Sequence, residues 1–187
     1  MANSRIATSS ILQGFPKSRS LLVGNPYYFP NDYESIATIT IGAGGSTSIT
    51  FSSIPSTYSH LQLRIATNGG GDRLQFNSDT GSNYARHYSL GNGSAASAGG
   101  SINQTYAAVG DYTTTASFFP GTIIDILDYS NTNKYKTVRS FTGFDNNTQG
   151  EAFQFGAHWR SNSAISSITI TGGTMAQYSS FALYGIK

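Results

Sequence analysis

Three histidines and nine acidic residues are the side chains of this 187-residue sequence that could support catalysis or metal binding. His60, His87 and His158 stand far apart, and none forms the two-histidine spacing of a helical zinc motif. The chain has no cysteine, which excludes disulfides, thiolate metal ligands and cysteine nucleophiles. A Gly-x-Ser-x-Gly elbow and a Walker phosphate loop are also missing. We predict no catalytic residues, no metal site and no cofactor.

Paired carboxylates are the remaining catalytic arrangement, because glycoside hydrolysis needs two carboxyl groups flanking a sugar. Asp125 and Asp128 in "IIDILDY" are three apart in a predicted strand, which points them to opposite faces. Asp72 and Asp79 could supply oxygen ligands to calcium, but the dense acidic spacing of a calcium loop is missing. Strand-edge charges and ordinary turns explain these residues better. We predict that the protein is not an enzyme.

Aromatic residues are the other candidates for binding, since their rings can stack on sugars or fill a protein interface. Tyr84, Tyr88, Tyr106, Tyr112 and Trp159 surround polar stretches rich in Asn, Ser and Gln. Of these, Tyr106, Tyr112 and Trp159 are candidate stacking platforms for a glycan. The alternative is that all five are half-buried strand residues, because aromatic residues have high β propensity.

A dense aromatic cluster, "PYYFPNDY", lies near the N-terminus. Its prolines lack amide donors and restrict the residues before them, which predicts an extended segment. Residues 1–32 lack the alternating pattern of the rest of the chain, so we predict a docking arm there and a sandwich domain over residues 33–187. Burial of the aromatic rings against a partner would offset the entropy lost when the arm is ordered. The predicted anchors are Tyr27, Tyr28, Phe29 and Tyr33.

Short segments rich in Ile, Thr, Phe and Tyr follow from Glu34 onward, alternate apolar with polar residues, and are separated by Gly, Asn or Pro. We count about ten strands and no convincing helix. This pattern favours an all-β fold, an antiparallel jelly-roll-like β-sandwich with an extended N-terminal arm. A β-solenoid is the alternative, although the sequence has no repeat of fixed period.

The turn residues predict how some of these strands connect. "ESIATITI", "GAGGS" and "TSITF" predict one hairpin, and "HLQLRIAT", "NGGG" and "DRLQFNS" predict a second. Leu61, Leu63 and Ile65 are predicted to face the core. Residues 91–110 are small, polar and glycine-rich, and they are predicted to form a long loop at one end of the sandwich.

Charge and hydropathy exclude several classes of partner. Only 11% of the residues are charged, the formal net charge is +2, and the Lys and Arg residues are scattered singly. No basic stripe is available for phosphates, which argues against nucleic-acid binding. No apolar run approaches the ~20 residues of a membrane span, and the N-terminus has no signal-peptide hydrophobic core. We expect no membrane insertion and no export by the usual secretory route.

Two long segments resemble a known family: "DYESIATITIGAGGSTSITFSSIPSTYSHLQLRI" and the ending "SNSAISSITITGGTMAQYSSFALYGIK". They are similar to a β-rich module of virion structural proteins in tailed bacteriophages, notably marine and cyanobacterial phages. The resemblance covers residues from about 32 to 187 and is strongest at its two ends. It implies a structural or fibre-associated role and supplies no catalytic residues.

We therefore expect a noncatalytic structural subunit of a tailed-phage virion, an accessory head-decoration, neck or fibre component docked through its arm. The expected location is the virion, assembled in the host cytoplasm, with other phage structural proteins as partners. Closed symmetry favours a homo-oligomer, and we expect a trimer. The alternative is a host-receptor binding tip of a tail fibre or spike that recognises surface glycan. A third hypothesis, an enzyme that cleaves this glycan, would depend on Asp125.

Overall fold

A computed structural model describes residues 32–187 of the chain, and within this range every regular element is a β-strand. The twelve strands of the described residues are β1 Tyr33–Thr40, β2 Ile49–Phe51, β3 His60–Ala66, β4 Gly70–Phe76, β5 Tyr84–Gly91, β6 Ala96–Gln104, β7 Ala107–Ala108, β8 Gly121–Leu127, β9 Lys136–Asp145, β10 Gly150–Trp159, β11 Ile168–Gly173 and β12 Ser180–Ile186. The predicted arm anchors Tyr27, Tyr28 and Phe29 lie outside the described residues, whereas Tyr33 begins the first strand.

The strands form two antiparallel sheets. The larger sheet has eight strands in the order β1-β12-β3-β8-β9-β10-β5-β6, and the smaller has four in the order β2-β11-β4-β7. The prediction of an all-β sandwich is confirmed, with twelve strands in place of about ten. In the larger sheet β12 lies between β1 and β3, and in the smaller sheet β11 lies between β2 and β4. The jelly-roll character of the sandwich stays a prediction.

The hydrophobic core lies between the two sheets and depends on alternating residues of their strands. Leu61, Leu63 and Ile65 of β3 are buried, as predicted. Leu63 lies between Leu183 of β12 and Ile124 of β8 in the sheet register, and all three are fully buried. Each such side chain contributes about 1.5–3 kcal/mol by leaving water, which makes these rows the main stabilising feature of the sandwich.

Neither predicted hairpin forms, and both predictions are wrong. Strand β1 pairs with β12 in the larger sheet, whereas β2 pairs with β11 in the smaller one. Strand β3 likewise belongs to the larger sheet and β4 to the smaller. The glycine-rich links carry the chain from one sheet to the other. A turn sequence shows that the chain reverses, but burial of each strand's apolar face decides which sheet it joins.

The predicted long loop at residues 91–110 is also wrong for much of its length. Strand β6 occupies residues 96–104 and pairs with β5 at the edge of the larger sheet. Gly99 lies opposite Tyr88 and Gly100 opposite His87, and a Cβ on either glycine would overlap the side chain of its partner. The glycines therefore let neighbouring side chains cover the edge strand. The glycine-rich composition predicts a loop, but in this strand the glycines make room for side chains of the neighbouring strand.

The larger sheet extends beyond the smaller one because two antiparallel hairpins, β5-β6 and β9-β10, add strands to it alone. Two surfaces of the sandwich are candidates for binding. One is the outer face of the larger sheet, which points away from the smaller sheet. The other is a groove between the sheets, beside β7 at the end of the smaller sheet. None of the described residues belongs to a helix that could cross a bilayer.

Candidate functional site

A strip of exposed side chains crosses the outer face of the larger sheet. Ile123 of β8 and Phe141 of β9 lie directly opposite each other and are 50% and 64% exposed. Arg64 of β3 lies opposite Ile123 on its other side, and its guanidinium lies 5.3 Å from the ring centre of Tyr33 and 4.7 Å from that of Tyr184. We call these five residues the outer-face strip. Contiguous exposed apolar surface on a rigid sheet is typical of an interaction site.

A ladder of polar side chains runs beside this strip. Gln62 accepts a hydrogen bond from Arg64 Nε at 2.8 Å and donates one to Asp125 Oδ1 at 2.9 Å. Arg139 Nε donates to the other carboxylate oxygen, Oδ2, at 3.0 Å. Both oxygens of Asp125 are therefore occupied by protein donors. The residues around the ladder enclose a shallow depression of about 270 Å³.

The two carboxylates considered for glycoside hydrolysis have separate structural partners. Asp125 belongs to the ladder on the outer face, whereas Asp128 follows the end of β8 and forms an ion pair with Lys134. The hydrogen bond from Lys134 keeps the pKa of Asp128 below its ordinary value. The backbone N–H of Asp128 donates to His60 Nδ1 at 2.9 Å. Each carboxylate is paired with its own cation, and the arrangement is that of two surface ion pairs.

Trp159, predicted as a glycan-stacking platform, is a core residue, and that prediction is wrong. Its side chain is 2% exposed and packs against Phe76 and Tyr84, with ring centres 5.6 and 6.3 Å away. The indole Nε1 donates a 2.6 Å hydrogen bond to Asp79 Oδ2. Tyr84 is fully buried beside it, and burial raises the pKa of the Tyr84 phenol to about 12. A ring enclosed in this way has no face available for a sugar.

Tyr106 and Tyr112, the other two predicted stacking residues, flank strand β7 and are half-buried. The Arg73 guanidinium lies 4.6 Å from the ring centre of Tyr106, so one face of this ring already has a partner. Tyr112 places its hydroxyl close to Gly173. Glycan stacking by these two residues stays a prediction.

The groove between the sheets brings together side chains that the sequence analysis did not associate. Its floor is formed by the inward faces of β5 and β10. Phe153 and Phe155 are stacked with centres 5.6 Å apart, and the Tyr88 ring centre lies 5.7 Å from that of Phe155. Arg86 has its guanidinium 5.7 Å from the Tyr88 ring centre. Together with acidic residues on the opposite side, they enclose about 230 Å³. We call this cavity the inter-sheet groove.

Two carboxylates line the opposite side of the inter-sheet groove. Asp72 comes from β4, and Asp111 follows β7. Burial raises the pKa of Asp72, and the nearby Asp111 charge acts in the same direction, while Arg73 and Arg86 oppose the increase. The buried atoms Asp72 Oδ1 and Arg86 Nε have no hydrogen-bond partner. An ionisable pair with unused hydrogen-bonding capacity in a cavity is a candidate binding site.

A signal for the inter-sheet groove was present in the sequence. The alternation of "NYARHYSL" places Arg86 on the same strand face as Tyr84 and Tyr88, and an arginine on an inward face needs a partner. The partner carboxylates come from segments that are distant in the chain, so no local pattern could identify them. The calcium pairing of Asp72 with Asp79 does not form, because Asp79 bonds Trp159 and Asn83.

Across the described residues, no three His, Cys, Asp or Glu side chains come together as a metal site would require. His60 accepts a backbone hydrogen bond, and His87 covers Gly100 at the sheet edge. Comparisons of the chain with protein-family models, with curated proteins and with solved structures gave no match.

Proposed function

We propose that this protein is a noncatalytic structural subunit of a tailed-phage virion, an accessory head-decoration, neck or fibre component that binds other subunits through its sheet surface and its N-terminal arm. The observation that carries the proposal is the outer-face strip, where Ile123 and Phe141 expose half or more of their surface side by side. The resemblance of residues 32–187 to phage virion modules supports the same role.

The chemistry of the strip suits a protein partner. Its side chains stand on paired strands, so the backbone that carries them loses little conformational freedom when a partner covers them. Arginine and aromatic residues, as in Arg64 with Tyr33 and Tyr184, are the types enriched at the centres of interfaces. The adjacent Asp125 carboxylate already has its hydrogen bonds, so covering it leaves no unpaired acceptor.

The partner of the strip in this proposal is a second copy of the chain within a closed homo-oligomer, a trimer. The experiment is sedimentation of the full chain at micromolar concentration. The double variant Ile123→Ser, Phe141→Ser should sediment as a monomer. The control Tyr178→Ser removes a 71% exposed ring outside the strip and should leave the oligomer intact. A monomeric wild type, or a double variant that keeps the wild-type oligomer, would contradict this part of the proposal.

Location on the virion needs a separate experiment. Immunogold labelling of intact particles of the source phage, with antibody against residues 33–187, should label the head for a decoration protein or the tail for a fibre component. Replacement of Tyr27, Tyr28, Phe29 and Tyr33 by Ala should abolish incorporation while the sandwich stays folded. Absence of label on intact particles, with an antibody shown to bind the native protein, would refute an exposed virion role.

A second candidate function is a fibre or spike tip that binds host surface glycan. Tyr106 and Tyr112 flank strand β7 and are only half-buried. Part of each ring is therefore exposed, which favours this function. Loss of glycan binding in a Tyr106→Ala, Tyr112→Ala variant that keeps the wild-type oligomer would support this function over a purely structural role.

A further inference from the structure

We propose that the inter-sheet groove binds a single neutral saccharide unit, with Asp72 and Arg86 forming hydrogen bonds to its hydroxyl groups and Tyr88 contacting its apolar face. This site lies on the opposite face of the larger sheet from the outer-face strip, between the two sheets. The inference therefore goes beyond the structural role and does not depend on where the protein sits in a particle.

The first step of the argument is the unused hydrogen-bonding capacity at the groove. Among the described residues, Asp72 Oδ1 and Arg86 Nε are buried without a hydrogen-bond partner, and both side chains line the groove. A buried polar group left without a hydrogen bond destabilises the protein, and a ligand that supplies the missing bond removes this penalty. A carboxylate only accepts and a guanidinium only donates. Neighbouring hydroxyls of a sugar can do both, so one ring can serve the two residues together.

The second step is charge balance. The carboxylates of Asp72 and Asp111 and the guanidinium group of Arg86 line the groove, and Arg73 lies outside this lining, paired with Asp72. The four formal charges cancel, which gives neither a phosphate nor an ammonium group a net attraction. The Nε atom of Arg73 is 3.6 Å from Asp72 Oδ2, and the Arg73 guanidinium also stacks on the Tyr106 ring. The groove is therefore polar without net charge, as suits a neutral ligand.

The third step is the aromatic floor. Phe153 and Phe155 are 7% and 4% exposed, so they support the floor without offering much surface themselves. Tyr88 is only half-buried and packs against both rings, which fixes its orientation. The C–H face of a pyranose packs on such a ring. The enclosed volume of about 230 Å³ is below the range typical of drug-sized ligands, about 300–1,000 Å³, and limits the occupant to about one sugar unit.

The test uses the full chain and three defined probes: the methyl glycosides of glucose, galactose and N-acetylglucosamine. Binding is followed by ligand-observed NMR and by chemical-shift changes of the protein up to ~50 mM glycoside, because a single sugar unit binds weakly. We expect at least one probe to bind with a millimolar Kd. Arg86→Gln should weaken this binding about tenfold, as should Asp72→Asn, since each loses a hydrogen bond to the ligand.

Controls separate the groove from other surfaces. Arg139→Gln changes an exposed arginine of the outer face and should leave the Kd unchanged. Sedimentation of the groove variants should show the wild-type oligomer, so failure of the saccharide site and failure of the proposed subunit contact are distinguishable. Should Asp72→Asn misfold, Arg86→Gln alone decides the result. Absence of binding by all three probes, or equal affinity in wild type and Arg86→Gln, would overturn the inference.

Discussion

The hydrogen bonds around Asp79 make a sharp prediction about the stability of the sandwich. Asp79 lies between β4 and β5, and its Oδ2 atom accepts from Trp159 Nε1 at 2.6 Å and from Asn83 Nδ2 at 2.9 Å. Its Oδ1 atom accepts from the backbone N–H of Gly81 at 2.8 Å. Asp79→Asn keeps the shape of the side chain but leaves one acceptor oxygen for these donors. Either the buried indole or the Gly81 amide then loses its partner.

The expected magnitude follows from the type of bond lost. Hydrogen bonds to a charged group contribute about 1.5–3 kcal/mol, and an unpaired buried donor carries a similar penalty. We expect Asp79→Asn to lower the free energy of unfolding by about 2–3 kcal/mol. At about 2–4 °C per kcal/mol for a domain of this size, the Tm should fall by roughly 4–12 °C.

The effect should depend on pH, and its sign follows from the pKa of Asp79. Burial alone would raise this pKa, but the hydrogen bonds from Trp159, Asn83 and Gly81 bring it below its ordinary value. A carboxyl group whose pKa is lowered by folding stabilises the protein above its unfolded-state pKa of about 3.9, and this contribution is lost as the pH falls through the folded-state value. The difference between wild type and variant should therefore shrink below about pH 4.

The assay is urea unfolding followed by tryptophan fluorescence, because Trp159 is the one tryptophan of the chain and bonds Asp79 directly. The matched control is Asp145→Asn, whose carboxylate accepts from the Asn147 amide in an exposed turn. It should change stability by less than about 1 kcal/mol. Equal stability of wild type and Asp79→Asn near neutral pH, or a difference that does not begin to shrink as the pH falls below about 4, would refute the reasoning.

Three further substitutions test other parts of the structure by thermal and urea unfolding. Lys136→Met should lower the free energy of unfolding by about 1–3 kcal/mol, because its buried amine donates to three backbone carbonyls, while the exposed Lys134→Met should cost less. Asp72→Asn should leave the Tm unchanged or raise it near pH 7. Burial raises the pKa of Asp72, so its negative charge destabilises the folded state at neutral pH, and protonation on acidification removes this destabilisation. Gly172→Ala should destabilise by at least ~2 kcal/mol, because its φ is +102° and a Cβ would lie 1.9 Å from Asp72 Oδ1, whereas Gly156→Ala meets open space.

Much of the fold could be predicted from local pattern. The alternation in "HLQLRIAT" correctly placed Leu61, Leu63 and Ile65 in the core, because a strand shows successive side chains to opposite faces. The low charge and the frequent turn residues correctly indicated an all-β sandwich. Tyr33 was predicted as an anchor of the docking arm and lies in the first strand, and its role stays a prediction. The exposure of Phe141 and Ile123 was not predicted, because alternation alone does not show which residues of a two-faced sheet stay exposed.

The sequence by itself determined most of the strands, their inward faces and the class of the fold, since these depend on period-two hydropathy and on turn residues within a few positions of each other. Tertiary structure alone decided that β1 and β2 join different sheets, that residues 96–104 form an edge strand, and that Trp159 is enclosed. It also brought Asp72 and Arg86 to one groove. These features depend on which distant strands bury each other's apolar faces, and that pairing is set by the free energy of the whole sandwich.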